Sequence, residues 1–315
     1  MYDTEGRDMS AHTANSEMPV SATPVRMVVR KLPLVTVLFW ILKVVATTLG
    51  ETGGDLLAQT LHVGYLHSTV IFFGLLVVAL VVQLRARRFR PAIFWTVIAL
   101  TSTAGTTLSD LMNRTGGIGY TGGAVLLSTG LAIVFLAWWR SGQTLDVENI
   151  ATFRGEMLYW VAILFSNSLG TSSGDFLSDS LGFGFGTSAL VLSVVMGVLL
   201  PLHYLTRVNG MVLFWIAFVL TRPLGATVGD YLSKPLDHGG LAWGTMWTSA
   251  ALLAALVALV AYQTAADRRH PLQLLPEPRH RRTGKPQRLN GELVTVTVPV
   301  GNSLEKDLGF PRIVR

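Results

Sequence analysis

The stretch "TTLGETGGDLLAQTL", Thr47 to Leu61, carries Glu51 and Asp55 at the end of an apolar run that begins at Leu32. Lys43 lies in the same run, one to two helical turns earlier. The run and this stretch together exceed the ~20 residues that a helix needs to cross a bilayer. Charged groups that face lipid are costly, so these side chains are expected to face polar partners inside the protein.

The composition is that of a polytopic membrane protein. Half of the 315 residues are hydrophobic and only 14% are charged, against about 25% charged in an ordinary soluble domain. No cleavable signal peptide is predicted before the first apolar run, and that run is expected to be a retained span. We predict an all-α integral membrane protein with eight transmembrane helices, near residues 32–54, 64–84, 91–112, 119–140, 157–177, 184–205, 211–232 and 241–265.

A single unit recurs four times along the chain. An aromatic residue followed by Trp begins each copy, and an aspartate stands fifteen residues after each Trp. The Trp residues are Trp40, Trp95, Trp160 and Trp215, and the aspartates are Asp55, Asp110, Asp175 and Asp230. A hydroxyl residue stands three before each aspartate, at Thr52, Thr107, Ser172 and Thr227. Successive Trp residues are 55, 65 and 55 apart, which predicts four two-helix repeats arranged as two pairs.

The shared string, aromatic-Trp-x9-Gly-x-[Ser/Thr]-x-[Gly/Ser]-Asp, resembles a family of bacterial membrane-anchored proteins of unknown function built from tandem two-helix repeats. The resemblance covers residues 32–265 and implies an architecture without an activity. Because each repeat has two spans, all four repeats enter the membrane in the same orientation. Equivalent residues are therefore expected to surround an axis along the membrane normal.

Basic residues in the links and tails predict the topology. By the positive-inside rule they place both termini in the cytoplasm, with the chain in a bacterial inner membrane. The predicted segments are a disordered N-terminal segment (1–31), repeats 1 and 2 (32–140), a cytoplasmic link (141–156), repeats 3 and 4 (157–265) and a basic cytoplasmic tail (266–315). The net charge of +6 is explained by topology, so no nucleic-acid partner is expected and the lipid bilayer is the expected partner. The sequence leaves the oligomeric state open.

The four aspartates are predicted to form an inward-facing acidic cluster toward the outer side of the membrane. A helix from Pro91 to Asp110 rises about 28 Å, which takes its aspartate almost across the hydrocarbon. The hydroxyl residues one helical turn earlier, Thr52, Thr107, Ser172 and Thr227, are expected to supply further oxygens. Asp179 adds a carboxylate in the third repeat.

Lys43 and Glu51 are predicted to extend this polar path inward through the first repeat alone. If no path exists, Glu51 is expected to be a structural partner of Lys43. The simpler alternative for the whole cluster is that basic residues of repeats two and four, Arg114, Arg222 and Lys234, neutralise the acids of repeats one and three.

The glycines of each repeat have two interpretations. Small residues allow membrane helices to approach closely, which predicts a packing role for Gly50, Gly54 and their equivalents. Alternatively, the glycine-rich stretch loosens the helix and frees backbone carbonyl groups beside the aspartate, as in discontinuous transporter helices.

The available ligand atoms restrict any bound ion. Cysteine is absent and no His pair has the spacing of a zinc site, which leaves carboxylate and hydroxyl oxygens. These oxygens favour a hard cation such as manganese, magnesium, calcium or an alkali ion. No cofactor is predicted with certainty.

Transport or channelling of a small cation, with coupling to protons left open, is the function that the repeated aspartates favour. A polar cavity lined by them would favour it, whereas a packed interior with every acid paired would favour a non-catalytic membrane sensor or assembly protein. An intramembrane aspartyl protease is disfavoured. The strings "ETGGD" and "TSSGD" resemble the Gly-x-Gly-Asp of those enzymes but carry Thr52 and Ser172 where the first Gly belongs. No enzymatic activity is predicted.

Overall fold

The computed structural model describes residues 27–28, 32–86, 89–150, 152–205, 209–269 and 275–276. Within these ranges the chain forms eight α-helices, which confirms the predicted all-α class. They are α1 (Val37–Asp55), α2 (Tyr65–Arg85), α3 (Pro91–Asp110), α4 (Gly119–Arg140), α5 (Phe153–Asp175), α6 (Gly184–Leu205), α7 (Gly210–Ser233) and α8 (Thr245–Arg269). A two-residue antiparallel pair joins β1 (Met27–Val28) to β2 (Leu275–Pro276). The predicted N-terminal segment and basic tail lie almost entirely outside the described residues.

The first helices of the four repeats form a closed ring. α1 packs against α3, α3 against α5, α5 against α7, and α7 against α1. We call these four helices the inner ring. All four run in the same direction, because each repeat adds one helix in each sense, so equivalent residues lie at the same height around a common axis. Repeats one and three, and repeats two and four, therefore face each other across that axis.

The second helix of each repeat packs against the inner helix of the following repeat. α2 lies on α3, α4 on α5, α6 on α7, and α8 completes the circle on α1. These outer helices keep most of their apolar surface exposed. In the most apolar 18-residue segment of α2, α4 and α8, 17–22% is buried, whereas the corresponding share in α3 and α7 is 61–67%. Such a distribution is expected when the outer face meets lipid and the inner helices are enclosed by protein.

Aromatic side chains close the ring at the N-terminal ends of the inner helices. The aromatic residue of each repeat contacts the Trp of the next, at ring-centroid distances of 5.6 Å for Phe39 and Trp95, 5.6 Å for Phe94 and Trp160, 6.2 Å for Tyr159 and Trp215, and 5.7 Å for Phe214 and Trp40. Offset and edge-on contacts of this kind stabilise beyond simple burial. The four Trp residues therefore pack the contacts between neighbouring repeats.

The repeated glycines are the points at which neighbouring inner helices meet. A Cβ added at Gly50, Gly170 or Gly225 would overlap a side chain of the next helix, Ser102, Arg222 or Thr47 respectively. A Cβ at Gly105 would lie 2.9 Å from the backbone nitrogen of Ser168. The helices run unbroken through these glycines to the aspartates, so the close-packing interpretation accounts for them and the loosened-helix alternative does not.

The backbone departs from α-helix only after the aspartates. In repeats one to three, one π-helical turn follows, at Leu56–Thr60, Leu111–Thr115 and Phe176–Ser180. In repeat four α7 ends at Ser233, and Pro235 begins an irregular hairpin. By its spacing from the aspartate, Gly239 is the equivalent of Gly64, but the longer hairpin of repeat four places Gly244 directly before α8. Both Gly239 and Gly244 have positive φ.

Five of the described helices are long and apolar enough to cross a membrane: α2, α3 with its following turn, α4, α7 and α8. α1 carries three charged residues in its span, and the described apolar part of α6 runs from Gly184 to Leu199. The described helices therefore indicate a multi-pass membrane protein.

Candidate functional site

The four repeated aspartates lie together at the C-terminal ends of the inner helices. Asp55, Asp110, Asp175 and Asp230 are at most 3% exposed. An aspartate at a helix C-terminus meets the negative end of the helix dipole, so each one needs compensation. Asp179, predicted to join them, is exposed instead and belongs to none of the ion pairs among the described residues. It lies four residues beyond Asp175, in the π-helical turn, where the chain has already left the ring.

Lys234 joins the aspartates of repeats four and one. Its Nζ lies 2.5 Å from Oδ2 of Asp55 and 3.6 Å from Oδ1 of Asp230, and it also donates to Oε1 of Gln59 at 3.3 Å. Gln59 in turn donates to Oδ1 of Asp55. Burial lowers the pKa of Lys234, but Asp55 and Asp230 raise it by more, so the net pKa is raised and the ammonium form is favoured. We call Asp55, Gln59, Asp230 and Lys234 the Lys234 cluster.

Arg114 joins the aspartates of repeats two and three in the same manner. Its Nε donates to Oδ1 of Asp110 at 3.1 Å, and a terminal nitrogen lies 3.8 Å from Oδ2 of Asp175. We call Asp110, Arg114 and Asp175 the Arg114 cluster. In both clusters a basic residue of an even repeat compensates its own aspartate and that of the next repeat, as the neutralisation alternative predicted.

One fully enclosed carboxyl oxygen in each cluster has no hydrogen-bond partner among the described residues. These buried atoms are Oδ1 of Asp230 and Oδ2 of Asp175. Each cluster also has two carboxylates for one basic residue. Such an excess of buried negative charge is costly unless a proton or a cation is taken up.

A fully buried ion pair occupies the axis one turn below the aspartates. Oε2 of Glu51 accepts from Arg222 at 3.0 Å and from Thr106 and Thr171 at 3.1 Å each. Arg222 also donates to both threonines and to the carbonyl oxygen of Ser102. Three side chains, one from each of the other repeats, therefore converge on Glu51, so the polar path is not confined to the first repeat.

Lys43 lies about two turns before Glu51 on α1 and does not pair with it. Its side chain is 0% exposed, and Nζ has no hydrogen-bond partner in the described part of the chain. Nζ lies 4.0 Å from the ring centroid of Phe218. Glu51 is bound by Arg222 instead, which corrects the expected Lys43–Glu51 pair.

The hydroxyl residues three before the aspartates do not turn toward them. The bonds of Thr107 and Thr227 go to carbonyl groups of their own helices. Thr52 accepts from Ser249 on α8, and Ser172 bonds Ser109 and Asn113. All four are buried. A residue three positions before the aspartate points about 60° away from it around the helix, whereas a residue four positions before points only about 40° away, on the other side. The oxygens nearest the axis therefore come from the residues four before, as in Glu51.

Arg222 is the residue whose importance the repeat pattern could have revealed. In the first repeat Lys43, Thr47, Glu51 and Asp55 follow one helix face at four-residue steps. The same steps in the fourth repeat give Phe218, Arg222, Ala226 and Asp230, and Arg222 alone of the described arginines is fully buried. If the residues of this helix face in the first repeat had been aligned with those of the fourth repeat, Arg222 would have been predicted to lie on the axis.

Two cavities on the outside of the inner ring are apolar. One, of about 710 Å³, lies along α3 and α8 and is lined by residues such as Trp95, Leu253 and Val257. The other, of about 500 Å³, lies along α7 near Trp215 and Phe135. Neither is lined by any of the four aspartates, so these two cavities are not polar entrances to the axis.

Comparison with known families agrees with this repeat structure. A family model described as Repeat of Unknown Function (DUF347) matches residues 38–89, 93–144, 158–209 and 213–269, one match per repeat. The chain belongs to this family. Each match begins two residues before the repeat's Trp and extends through its outer helix, so the unit includes both helices. No curated protein and no solved structure matches the chain.

Proposed function

We propose that this protein spans a bacterial inner membrane eight times, with both termini cytoplasmic, and transports a small cation along the axis of the inner ring. All eight helices are proposed to cross because α1 and α5 alternate with α3 and α7 in one ring of parallel helices. The cytoplasmic placement of the termini rests on the basic links and tails.

The observation that carries the proposal is the column of ionisable side chains on the axis. Five buried acids and four basic side chains follow one another within the ring, in helices whose outer neighbours are apolar. Ionisable groups inside a membrane protein are expensive to bury and are typical of ion and proton pathways. A purely structural interior could use apolar residues at these positions at lower cost.

The closed axis favours a carrier over a permanently open channel. The aromatic contacts between repeats fill the ring at the N-terminal ends of the inner helices, and Arg222 fills it at the middle. Passage of an ion requires these groups to move, as in transporters that alternate between two closed forms.

Flux measurements in proteoliposomes test the proposal. The intact protein is expected to carry cations or protons down an imposed gradient, and the Asp55→Asn/Asp175→Asn variant, with one carboxylate removed from each cluster, is expected to lose this flux. Asp237→Asn, which alters an exposed hairpin residue, is the control. Equal flux through the intact protein, the double variant and empty vesicles would contradict transport.

A non-catalytic sensor or assembly protein is the second candidate. Its support is that every one of the four aspartates lies within ion-pair distance of Arg114 or Lys234, and that Glu51 is bound by Arg222. This candidate predicts that the intact protein carries no flux. It also predicts that the double variant is less stable than the intact protein.

A further inference from the structure

Three carboxylates converge at the Lys234 cluster. One oxygen each of Glu51, Asp55 and Asp230 lies within 4.8 Å of the other two, and all three side chains are buried. Oxygens bound to one calcium ion at 2.3–2.6 Å lie up to about 5 Å apart, so this spacing suits a single ion. Oδ1 of Asp230 is buried and accepts no hydrogen bond from the described part of the chain, so it is available as a ligand atom.

The polar neighbours of these carboxylates show what already occupies the space. Asp55 accepts from Gln59 and Lys234, and Asp230 has Lys234 alone at 3.6 Å. Glu51 uses only Oε2, which binds Arg222, Thr106 and Thr171. The ammonium of Lys234 is therefore an internal cation between two of the three carboxylates, and it shows that this position attracts positive charge.

Charge balance identifies the class of ion. When all three are ionised, Glu51, Asp55 and Asp230 carry three negative charges, and Arg222 offsets one of them at Glu51. With Lys234 in place one negative charge remains, whereas a divalent cation in its stead leaves none. Carboxylate oxygens select hard ions such as Mn²⁺, Mg²⁺ and Ca²⁺.

Lys234 is placed to leave the site. It follows the last residue of α7, at the entrance of the hairpin, and its side chain is 17% exposed while its carboxylate partners are at most 5% exposed. A lysine side chain has four rotatable bonds, so its ammonium can turn outward to solvent without movement of the helix.

We propose that Glu51, Asp55 and Asp230 bind one hard divalent cation and that this ion displaces the ammonium group of Lys234. The inference rests on the proposed function in taking a small cation as the cargo. The Arg114 cluster does not offer the same site, because the residue equivalent to Glu51 there is Thr171. Lys234 then acts as a tethered competitor that neutralises the site when the ion is absent.

Mn²⁺ binding to the purified full-length protein in detergent micelles tests the site, with the free ion measured by electron paramagnetic resonance. We expect one Mn²⁺ per chain, competition by Ca²⁺ or Mg²⁺, and loss of binding in Asp230→Asn and Glu51→Gln. Lys234→Gln removes the competitor and is expected to tighten binding by about tenfold or more, an effect that misfolding does not produce. Arg114→Gln is not expected to tighten it, and Asp237→Asn is the surface control.

A second measurement uses the unaltered protein. Amine acetylation followed by mass spectrometry reports how exposed Lys234 is, and Mn²⁺ is expected to increase its labelling several-fold. No Mn²⁺ binding, or binding that Lys234→Gln leaves unchanged, would overturn the site. Flux without Mn²⁺ binding would overturn this inference and keep the proposed transport, whereas binding without any flux would keep the site and remove transport.

Discussion

The α1–α7 interface and the α3–α5 interface are related by a half-turn about the axis, yet only the first carries charge below the aspartates. Glu51 and Arg222 meet in the first, and their equivalents in the second are Thr171 and Ser102. The second interface relies on neutral hydrogen bonds, such as Asn167 to Thr101 at 3.0 Å. Helix packing follows the four-fold repeat, whereas the chemistry on the axis follows neither the four-fold nor the two-fold relation.

This difference distinguishes residues that recur in every repeat and form the ring from residues that occur in one interface alone. Glycines and aromatic residues recur in every repeat at the same contacts, so they specify the architecture. The ion pair occurs once. A buried pair contributes little net stability compared with apolar residues of similar size, so its presence on one interface alone favours a functional role.

The largest expected effect is at the ion pair. Arg222→Gln leaves Glu51 buried without its counter-charge and is expected to cost about 3–5 kcal/mol of unfolding free energy. Ser102→Ala, at the equivalent position across the axis, is expected to stay within about 0.5 kcal/mol, because the Ser102 hydroxyl has no hydrogen-bond partner among the described residues. Thermal unfolding in micelles measures both.

The double variant Glu51→Gln/Arg222→Gln sharpens this result. It removes both charges, so it is expected to recover most of the stability lost in Arg222→Gln. Equal losses at Arg222 and Ser102, or no recovery in the double variant, would show that the two interfaces do not differ in the proposed way.

An intermediate and equal effect is expected from the packing glycines. Gly225→Ala on the α1–α7 interface and Gly105→Ala on the α3–α5 interface should each cost about 1–3 kcal/mol, since a Cβ has no space at either position. Gly53→Ala, whose Cβ would meet no atom within 4 Å, is expected to be neutral or stabilising by about 0.5–1 kcal/mol. If only one of Gly225→Ala and Gly105→Ala lowered the free energy of unfolding, the helix packing would not follow the four-fold repeat.

The smallest effect is expected at the residues four beyond the aspartates. Gln59→Ala removes hydrogen bonds to Asp55 and Lys234 and is expected to cost about 0.5–1.5 kcal/mol. Asp179→Asn, at the equivalent position across the axis, is exposed and should change stability by less than about 0.5 kcal/mol. A larger loss at Asp179 than at Gln59 in chemical denaturation would return Asp179 to the acidic cluster.

The architecture was accessible from the sequence because the repeat supplies four independent observations of one unit. The Trp and Asp spacing predicted the two-helix repeat, and the low cost of small residues at helix contacts predicted the role of Gly50 and its equivalents. The family match agrees with that unit. What spacing alone did not supply was the packing order, since it depends on which helix of the next repeat each outer helix covers.

The candidate site was accessible only in part. The aspartates were placed together by repetition, but Asp55 and Asp175 each take a basic partner from the neighbouring repeat, and only packing of the ring brings these pairs close. Lys43 and Glu51 looked like partners because they lie two turns apart on one helix. Arg222 binds Glu51 because its side chain reaches the axis from α7 at the height of Glu51. The two residues are 171 positions apart in the sequence.

Because each outer helix covers the inner helix of the following repeat, no repeat encloses its own hydrophobic surface. A half-length chain of two repeats would present α1 without a cover and α4 without a helix to cover. Two such halves fit head to tail into the same circle, so an ancestral gene of half this length could have assembled as a homodimer. Fusion of two copies would then allow each half to change independently, which is the condition under which one interface gains charges that the other lacks.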